Sequence, residues 1–260
     1  MVLSTRLAGI CRSPHPAQHR PETCIRSTPM AAIPTPVVFI PALLSDEAMY
    51  REVIEQLGET VEAQVMVLSE PTMQANVEAV LAKAPPTFVL AGTSYGGSIA
   101  LEVALAAPER VSALWLMGCN PAAPDASVQE LVGGLEAMPD AVIDMLAGLA
   151  VPKESTEAAE AFKAMASRVG GKVGAAQARA LGSRAEATSR LGTLRMPVLV
   201  IWGEADQIVP ASVGQALADA LPHAHFHVLP NCGHLPTLEE PAECAELFVE
   251  FLEDDADYAH

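Results

Sequence analysis

Gly92-Thr93-Ser94-Tyr95-Gly96-Gly97 constrains this chain more than any other stretch. It follows the apolar run Thr87-Phe88-Val89-Leu90-Ala91, which is short and bounded by Pro85-Pro86, as a buried strand is. It precedes Ser98 to Ala107, a small, apolar stretch with helical spacing that stops at Pro108. A serine between glycines at a strand-to-helix turn is the context that a Gly-x-Ser-x-Gly nucleophile elbow needs. The turn is tight enough to strain Ser94, and a Cβ at the flanking glycines would meet the strand or the helix. The strain lifts the hydroxyl clear of the sheet. The helix expected from Tyr95 points free N–H groups at whatever the serine attacks. Alone the pattern is weak, because glycine and serine are common in turns.

The strand and helix around the elbow repeat along the chain. Val37 to Ile40 reads as a central strand and ends in Pro41-Ala42-Leu43-Leu44-Ser45-Asp46. Ser45 or Asp46 can cap a helix running to Leu57. Strands are expected over Ala63 to Leu68 and Ser112 to Met117, with a helix over Thr72 to Ala84. From Pro121 to about Arg195 no strand is expected. Helical segments appear there instead: Ser127 to Met138, Asp140 to Leu149, Thr156 to Val169 and Gly174 to Leu191. Gly133-Gly134, Pro139, Pro152 and Gly170-Gly171 punctuate them. Strands resume over Met196 to Trp202 and His225 to Leu229, followed by helices Ala211 to Leu221 and Glu239 to Leu252. Such alternation predicts an α/β fold: a mostly parallel sheet of about six strands with helices on both faces and an α-helical insertion.

The expected organisation is a leader at 1–30, a core at 31–120 and 193–253, an insertion at 121–192, and an acidic tail at 254–260. Residues 1–29 carry Arg6, Arg12, Arg20 and Arg26 against Glu22, a net of 4 − 1 = +3, and four prolines that forbid regular structure. Arg-rich, acid-poor composition can mark a transit peptide, but no sustained amphipathic helix accompanies it. An over-long start or a disordered leader is the expectation. The insertion follows a strand's C-terminal end, where ligands bind in such sheets, so it reads as a lid. Leu131, Leu135, Met138, Met145, Leu146, Leu149, Phe162 and Met165 would supply its apolar walls, most of them packing internally.

Charge narrows the partners. With 15 Lys and Arg against 32 Asp and Glu, the net is −17. That surface repels phosphate backbones and anionic lipid, so no nucleic-acid or membrane partner is expected. Five cysteines, at 11, 24, 119, 232 and 244, are odd in number and show no Cys-x-x-Cys spacing. Free thiols in a reducing, cytoplasmic compartment fit this better than disulfides or zinc. His223, His225 and His227 alternate along a strand, but no carboxylate or cysteine joins them at ligand spacing, so an ordinary strand face is expected. Cys119, just past a strand end, is expected to be a buried structural thiol. Tyr95, beside the serine, is in reach of a substrate, but a packing role is the expectation.

A serine hydroxyl needs a base within hydrogen-bond reach, and the base needs a group to orient it. Asp206 and His234 each follow an apolar strand, as Ser94 does. In a parallel sheet those strand ends share one edge, so three residues distant in sequence can converge.

At these residues the chain resembles the α/β-hydrolase superfamily, over roughly residues 36–253. Gly92 to Gly97 resembles its nucleophile elbow. Trp202-Gly203-Glu204-Ala205-Asp206-Gln207-Ile208-Val209-Pro210 is similar to its acid loop. Gly233-His234-Leu235-Pro236 with Glu239-Glu240-Pro241 resembles its histidine loop and trailing helix. The order Ser, Asp, His also matches. The resemblance implies Ser94 as nucleophile, His234 as general base and acid, and Asp206 as the group that fixes the imidazole tautomer. It implies an oxyanion hole made by the Tyr95 N–H and an N–H from the loop after the first strand. Most members carry His-Gly in that loop, where this chain has Pro41-Ala42; aligning the pairs puts Leu43 as the second donor. The two strands that usually come first in the family have no counterpart in the pattern of residues 1–35. The Pro41-to-Asp46 loop and the Gln177 to Glu186 segment resemble a subgroup of small bacterial hydrolases.

The expected activity is hydrolysis of a carboxylic ester or thioester through an acyl-enzyme, on a small-molecule acyl substrate, with no metal or cofactor. Serine at the elbow argues against the dehalogenase and epoxide-hydrolase chemistry that uses aspartate there. C–C bond hydrolysis, lactone hydrolysis and cofactor-free perhydrolysis use the same triad and stay open as alternatives. A non-catalytic binding module is disfavoured because no triad residue is missing.

Overall fold

The computed structural model describes residues 34–255, so the expected leader lies outside the described residues. Six strands form one sheet: β1 (Thr35–Ile40), β2 (Val61–Val65), β3 (Phe88–Thr93), β4 (Val111–Met117), β5 (Val198–Gly203) and β6 (Ala224–Leu229). Their order is β2-β1-β3-β4-β5-β6, and every pairing is parallel. The central strands are apolar and buried along almost their whole length, as strands covered on both faces must be. The edge strands β2 and β6 keep exposed positions.

Between β1 and β2 runs α1 (Arg51–Leu57), and between β2 and β3 runs α2 (Met73–Lys83). The chain steps outward from β1 to β2 and then back past β1 to β3. Right-handed crossovers in opposite directions put their helices on opposite faces. Accordingly α2 packs on α3 (Tyr95–Ala106), whereas α1 packs on α10 (Pro241–Asp255). This reversal makes the C-terminal ends of β1 and β3 the switch point of the sheet, where open α/β folds leave a crevice.

Four helices stand between β4 and β5: α4 (Ser127–Ala137), α5 (Pro139–Ala150), α6 (Thr156–Val169) and α7 (Gly171–Gly182). Leu135, Phe162 and Met165 are buried within the fold, while Met138, Met145 and Leu149 are exposed. The set is completed by α8 (Ala211–Ala220) and the short α9 (Pro236–Glu239). Several aromatic side chains pack together against the sheet. The Trp115 ring stacks on Phe248 at 4.5 Å, and Phe39 bridges Trp115 to Tyr50.

Several boundaries differ from expectation. The second strand covers 61–65 rather than 63–68. Met66 still donates to the Phe39 carbonyl, but β1 then runs into Pro41, which has no N–H to continue the ladder. Met66 and Leu68 are therefore buried as loop residues. The helix expected over 174–191 stops at Gly182, and a separate 3₁₀ segment covers Thr188–Thr193. Ser183 ends the helix: its hydroxyl donates back to Ala180 and accepts the first N–H of α2, that of Met73. The final helix is split into α9 and α10 by Pro241, and α10 continues through Asp255, so the first two residues of the expected acidic tail are helical.

Candidate active site

Ser94 sits at the β3–α3 junction with φ 54° and ψ −112°, a left-handed conformation in a non-glycine residue. Its neighbours allow this. A Cβ on Gly92 would run into the carbonyl of Gly96, and a Cβ on Gly96 into the carbonyls of Ile40 and Pro41. The start of α3 thus touches the end of β1 backbone to backbone, which sets the elbow beside the Pro41–Asp46 loop. Strain of this kind costs on the order of 1–3 kcal/mol and persists where surrounding structure enforces it.

The other two strand ends meet the elbow. The Ser94 N–H donates to the Met117 carbonyl at 2.7 Å, which ties the elbow to the end of β4. The next residue, Gly118, has φ +57°, and a Cβ there would lie 2.8 Å from Cε1 of His234. The imidazole therefore rests on the backbone that follows the Ser94 anchor. At the end of β5, Gly203 packs against the carbonyls of Cys232 and Gly233, and the Ala205 N–H donates to the Cys232 carbonyl at 2.8 Å. Those contacts lock the acid loop to the histidine loop.

His234 Nδ1 and Asp206 Oδ2 are 2.7 Å apart, and both side chains are buried. The other carboxylate oxygen, Oδ1, accepts the N–H groups of Ile208 and Val209 at 2.8 and 2.9 Å. An acceptor-only carboxylate facing Nδ1 puts the ring proton on that nitrogen. Nε2 is left as the acceptor. It is buried and makes no hydrogen bond among the described residues. The structure thus brings Asp206 and His234 together, while no hydrogen bond links Ser94 Oγ to His234 among the described residues. Such bonds commonly close only once substrate is bound.

The expected oxyanion donors, Tyr95 and Leu43, lie on the two elements that Gly96 presses together. Neither N–H donates to an acceptor among the described residues. The loop conformation differs from one that would need glycine at 42. Ser45 donates to the Ala42 carbonyl at 3.1 Å, closing a turn whose positive φ, 62°, falls on Leu44. Alanine at 42 is therefore unstrained. The Tyr95 side chain is buried, its hydroxyl donating to the Leu68 carbonyl at 3.4 Å, so it serves packing. Cys119 is buried against Gly97, and burial pushes its thiol up to about 12, which leaves it protonated and inert.

One residue of the site has a role that the sequence did not reveal. Glu239 accepts from the N–H groups of Gly233 at 2.8 Å and Leu235 at 3.1 Å, bracketing His234 on both sides. Burial raises its carboxyl above the usual range, although the two N–H bonds oppose the shift. The only available signal was a glutamate at the start of the trailing helix, a position that usually means a solvated first turn. Among the described residues no cluster of three or more His, Cys, Asp or Glu side chains could hold a metal ion, and no helix is long and apolar enough to cross a membrane.

The fold agrees with what comparison finds. The model of the alpha/beta hydrolase family matches residues 44–247, so the chain belongs to that family. A pimeloyl-[acyl-carrier protein] methyl ester esterase of Aromatoleum aromaticum is 30% identical over 68% of this chain and 78% of its own length. A 2-hydroxy-6-oxononadienedioate/2-hydroxy-6-oxononatrienedioate hydrolase of Paraburkholderia phymatum is 29% identical over 63% of this chain, which spans 61% of that relative's length. Among solved structures, an enol-lactonase from Burkholderia xenovorans superposes with a TM-score of 0.77 at 17% identity, covering 85% of this chain and 92% of that one. At that identity the likeness establishes the fold alone.

Proposed function

We propose that this chain is a serine hydrolase that cleaves a carboxylic ester or thioester through an acyl-enzyme. The observation that carries the reading is the buried Asp206–His234 pair, whose Nε2 has no partner among the described residues and lies at the strand ends that also hold the strained Ser94. In this scheme Ser94 Oγ attacks the acyl carbonyl as His234 Nε2 takes its proton. The negative charge that develops on the carbonyl oxygen is met by the N–H groups of Tyr95 and Leu43. The imidazolium, steadied by Asp206, then returns the proton to the leaving group. Water repeats the sequence on the acyl-enzyme and frees Ser94. Neither metal nor cofactor takes part.

The helices α4–α7 act as the lid over this edge of the sheet, and the partner is a small acyl compound rather than nucleic acid or membrane. A cytoplasmic location fits the three buried free thiols. A second reading, C–C bond or lactone hydrolysis on the same triad, stays open, and its C–C form is favoured by the similarity to the 2-hydroxy-6-oxononadienedioate/2-hydroxy-6-oxononatrienedioate hydrolase. Turnover of p-nitrophenyl esters of increasing chain length tests the first reading. Hydrolysis of at least one ester, abolished in Ser94→Ala, is expected. If no ester in the series turns over, the second reading takes its place.

A further inference from the structure

We propose that Gln177, on the helical insertion, is a positioning residue for the oxyanion hole; the inference rests on the reading given above. Gln177 lies on α7 in a stretch of alanines, yet it is 1% exposed. Both ends of its amide are used. Oε1 accepts the Leu44 N–H at 2.9 Å, and Nε2 donates to the Leu68 carbonyl at 2.9 Å. One amide orientation satisfies both bonds and the flipped one satisfies neither. One turn earlier on the same face is Gly174, where a Cβ would meet the Leu44 side chain at 2.5 Å. The insertion is therefore shaped to receive this residue of the loop.

Leu44 is where that matters. The turn from Ala42 to Ser45 has Leu43 and Leu44 at its centre, with φ +62° at Leu44. Turns with positive φ at this position differ from the common kind by a flip of the central peptide, and the flipped form favours glycine. A leucine here must be held. The acceptor on Gln177 holds it, because it engages the N–H of that central peptide. Leu43, the donor in the mechanism, is the other residue of the same peptide. The second bond reaches the other half of the hole. The Leu68 carbonyl that receives Nε2 also accepts the hydroxyl of Tyr95, whose backbone N–H is the first donor. One side chain from the insertion thus braces both donor residues. Asp46, two residues along the loop, is bound to Arg168 of α6, so the loop is pinned to the insertion twice.

Two variants test this, using the ester that the wild type hydrolyses best. Gln177→Leu keeps the bulk and removes both bonds. Its kcat should fall roughly 10- to 100-fold with KM within about twofold, since loss of a whole oxyanion donor costs about 10²–10³ in kcat. Gln177→Glu adds a readout that a purely structural residue would not move. A protonated carboxyl can accept from Leu44 and donate to Leu68, whereas a carboxylate would oppose the Leu68 carbonyl. The neighbouring Tyr95 hydroxyl stays neutral because burial raises it, and Asp46 is paired with Arg168. The ratio of variant to wild-type kcat should therefore rise as pH falls, with other titrations of the site cancelling. Wild-type kcat in Gln177→Leu, or a ratio for Gln177→Glu that is flat with pH, overturns the proposal. Should Gln177→Leu fail to fold, the Gln177→Glu ratio decides. A wild type that hydrolyses no ester counts against the ester reading instead, so the two failures are distinguishable.

Discussion

At the scale of single residues, the site depends on backbone donors aimed at two carboxylates. Asp206 spends one oxygen on the N–H groups of Ile208 and Val209 and the other on His234, which fixes the ring tautomer. Asp206→Asn would keep the volume but present an amide to Nδ1, favouring the wrong tautomer. We expect kcat to fall by roughly three to four orders of magnitude, with the circular dichroism spectrum unchanged. Retention of a tenth or more of the activity would contradict this role. Glu239 makes a different prediction. Its carboxyl is raised in the folded state by burial, so folding favours its protonated form. Its contribution to stability should be complete below the ordinary value of 4.5 and fade as pH climbs through the raised one. Compared with the non-titrating Glu239→Gln, the wild type should gain melting temperature as pH is lowered from 8 toward 4.5. A wild-type advantage that grows with rising pH would reverse that sign.

At the scale of elements, close backbone approaches hold the loops in place. Gly96 lets α3 touch the Ile40 carbonyl, and Gly203 lets β5 touch Gly233. A methyl group at 96 would overlap fixed backbone rather than a movable side chain. Gly96→Ala should cost about 3 kcal/mol, the upper end of overpacking penalties, read as a lowered urea midpoint at constant m-value. A shift of under about 0.5 kcal/mol would mean the elbow can move away from β1. These glycines, the strand–helix alternation and the order of the three motifs were legible in the sequence, because each is a local pattern with one dominant physical cause. The end of β2 was not, since the apolar run 65–68 continues after Pro41 has ended the ladder on its partner. Gln177 and Glu239 were not legible either. In sequence they are a glutamine in an alanine-rich helix and a glutamate near a helix start, both typical of solvated faces. Only the tertiary arrangement supplies the Leu44, Leu68, Gly233 and Leu235 groups that they bind.

At the scale of the whole molecule, the insertion is joined to the sheet by more than its two chain connections. Arg168 pairs with Asp46, Gln177 bridges Leu44 and Leu68, Ser183 accepts from Met73, and the His234 N–H donates to the Ala150 carbonyl at the end of α5. The helices and the sheet should therefore unfold together. Trp115 and Trp202 are both fully buried in β4 and β5, so tryptophan fluorescence reports the sheet, while far-ultraviolet circular dichroism reports mainly the helices. Coincident urea transitions by the two probes are expected. A loss of helix signal before the fluorescence change would show the insertion to be an independent unit.

The proposed hydrolysis depends on Ser94 acting as a nucleophile activated by His234. Incubation with a fluorophosphonate followed by intact-mass and peptide mass spectrometry tests it most directly. A single phosphonyl adduct on Ser94 is expected in the wild type, with none in Ser94→Ala and strongly slowed labelling in His234→Ala. An unlabelled wild type, or an adduct that persists in Ser94→Ala, would contradict it.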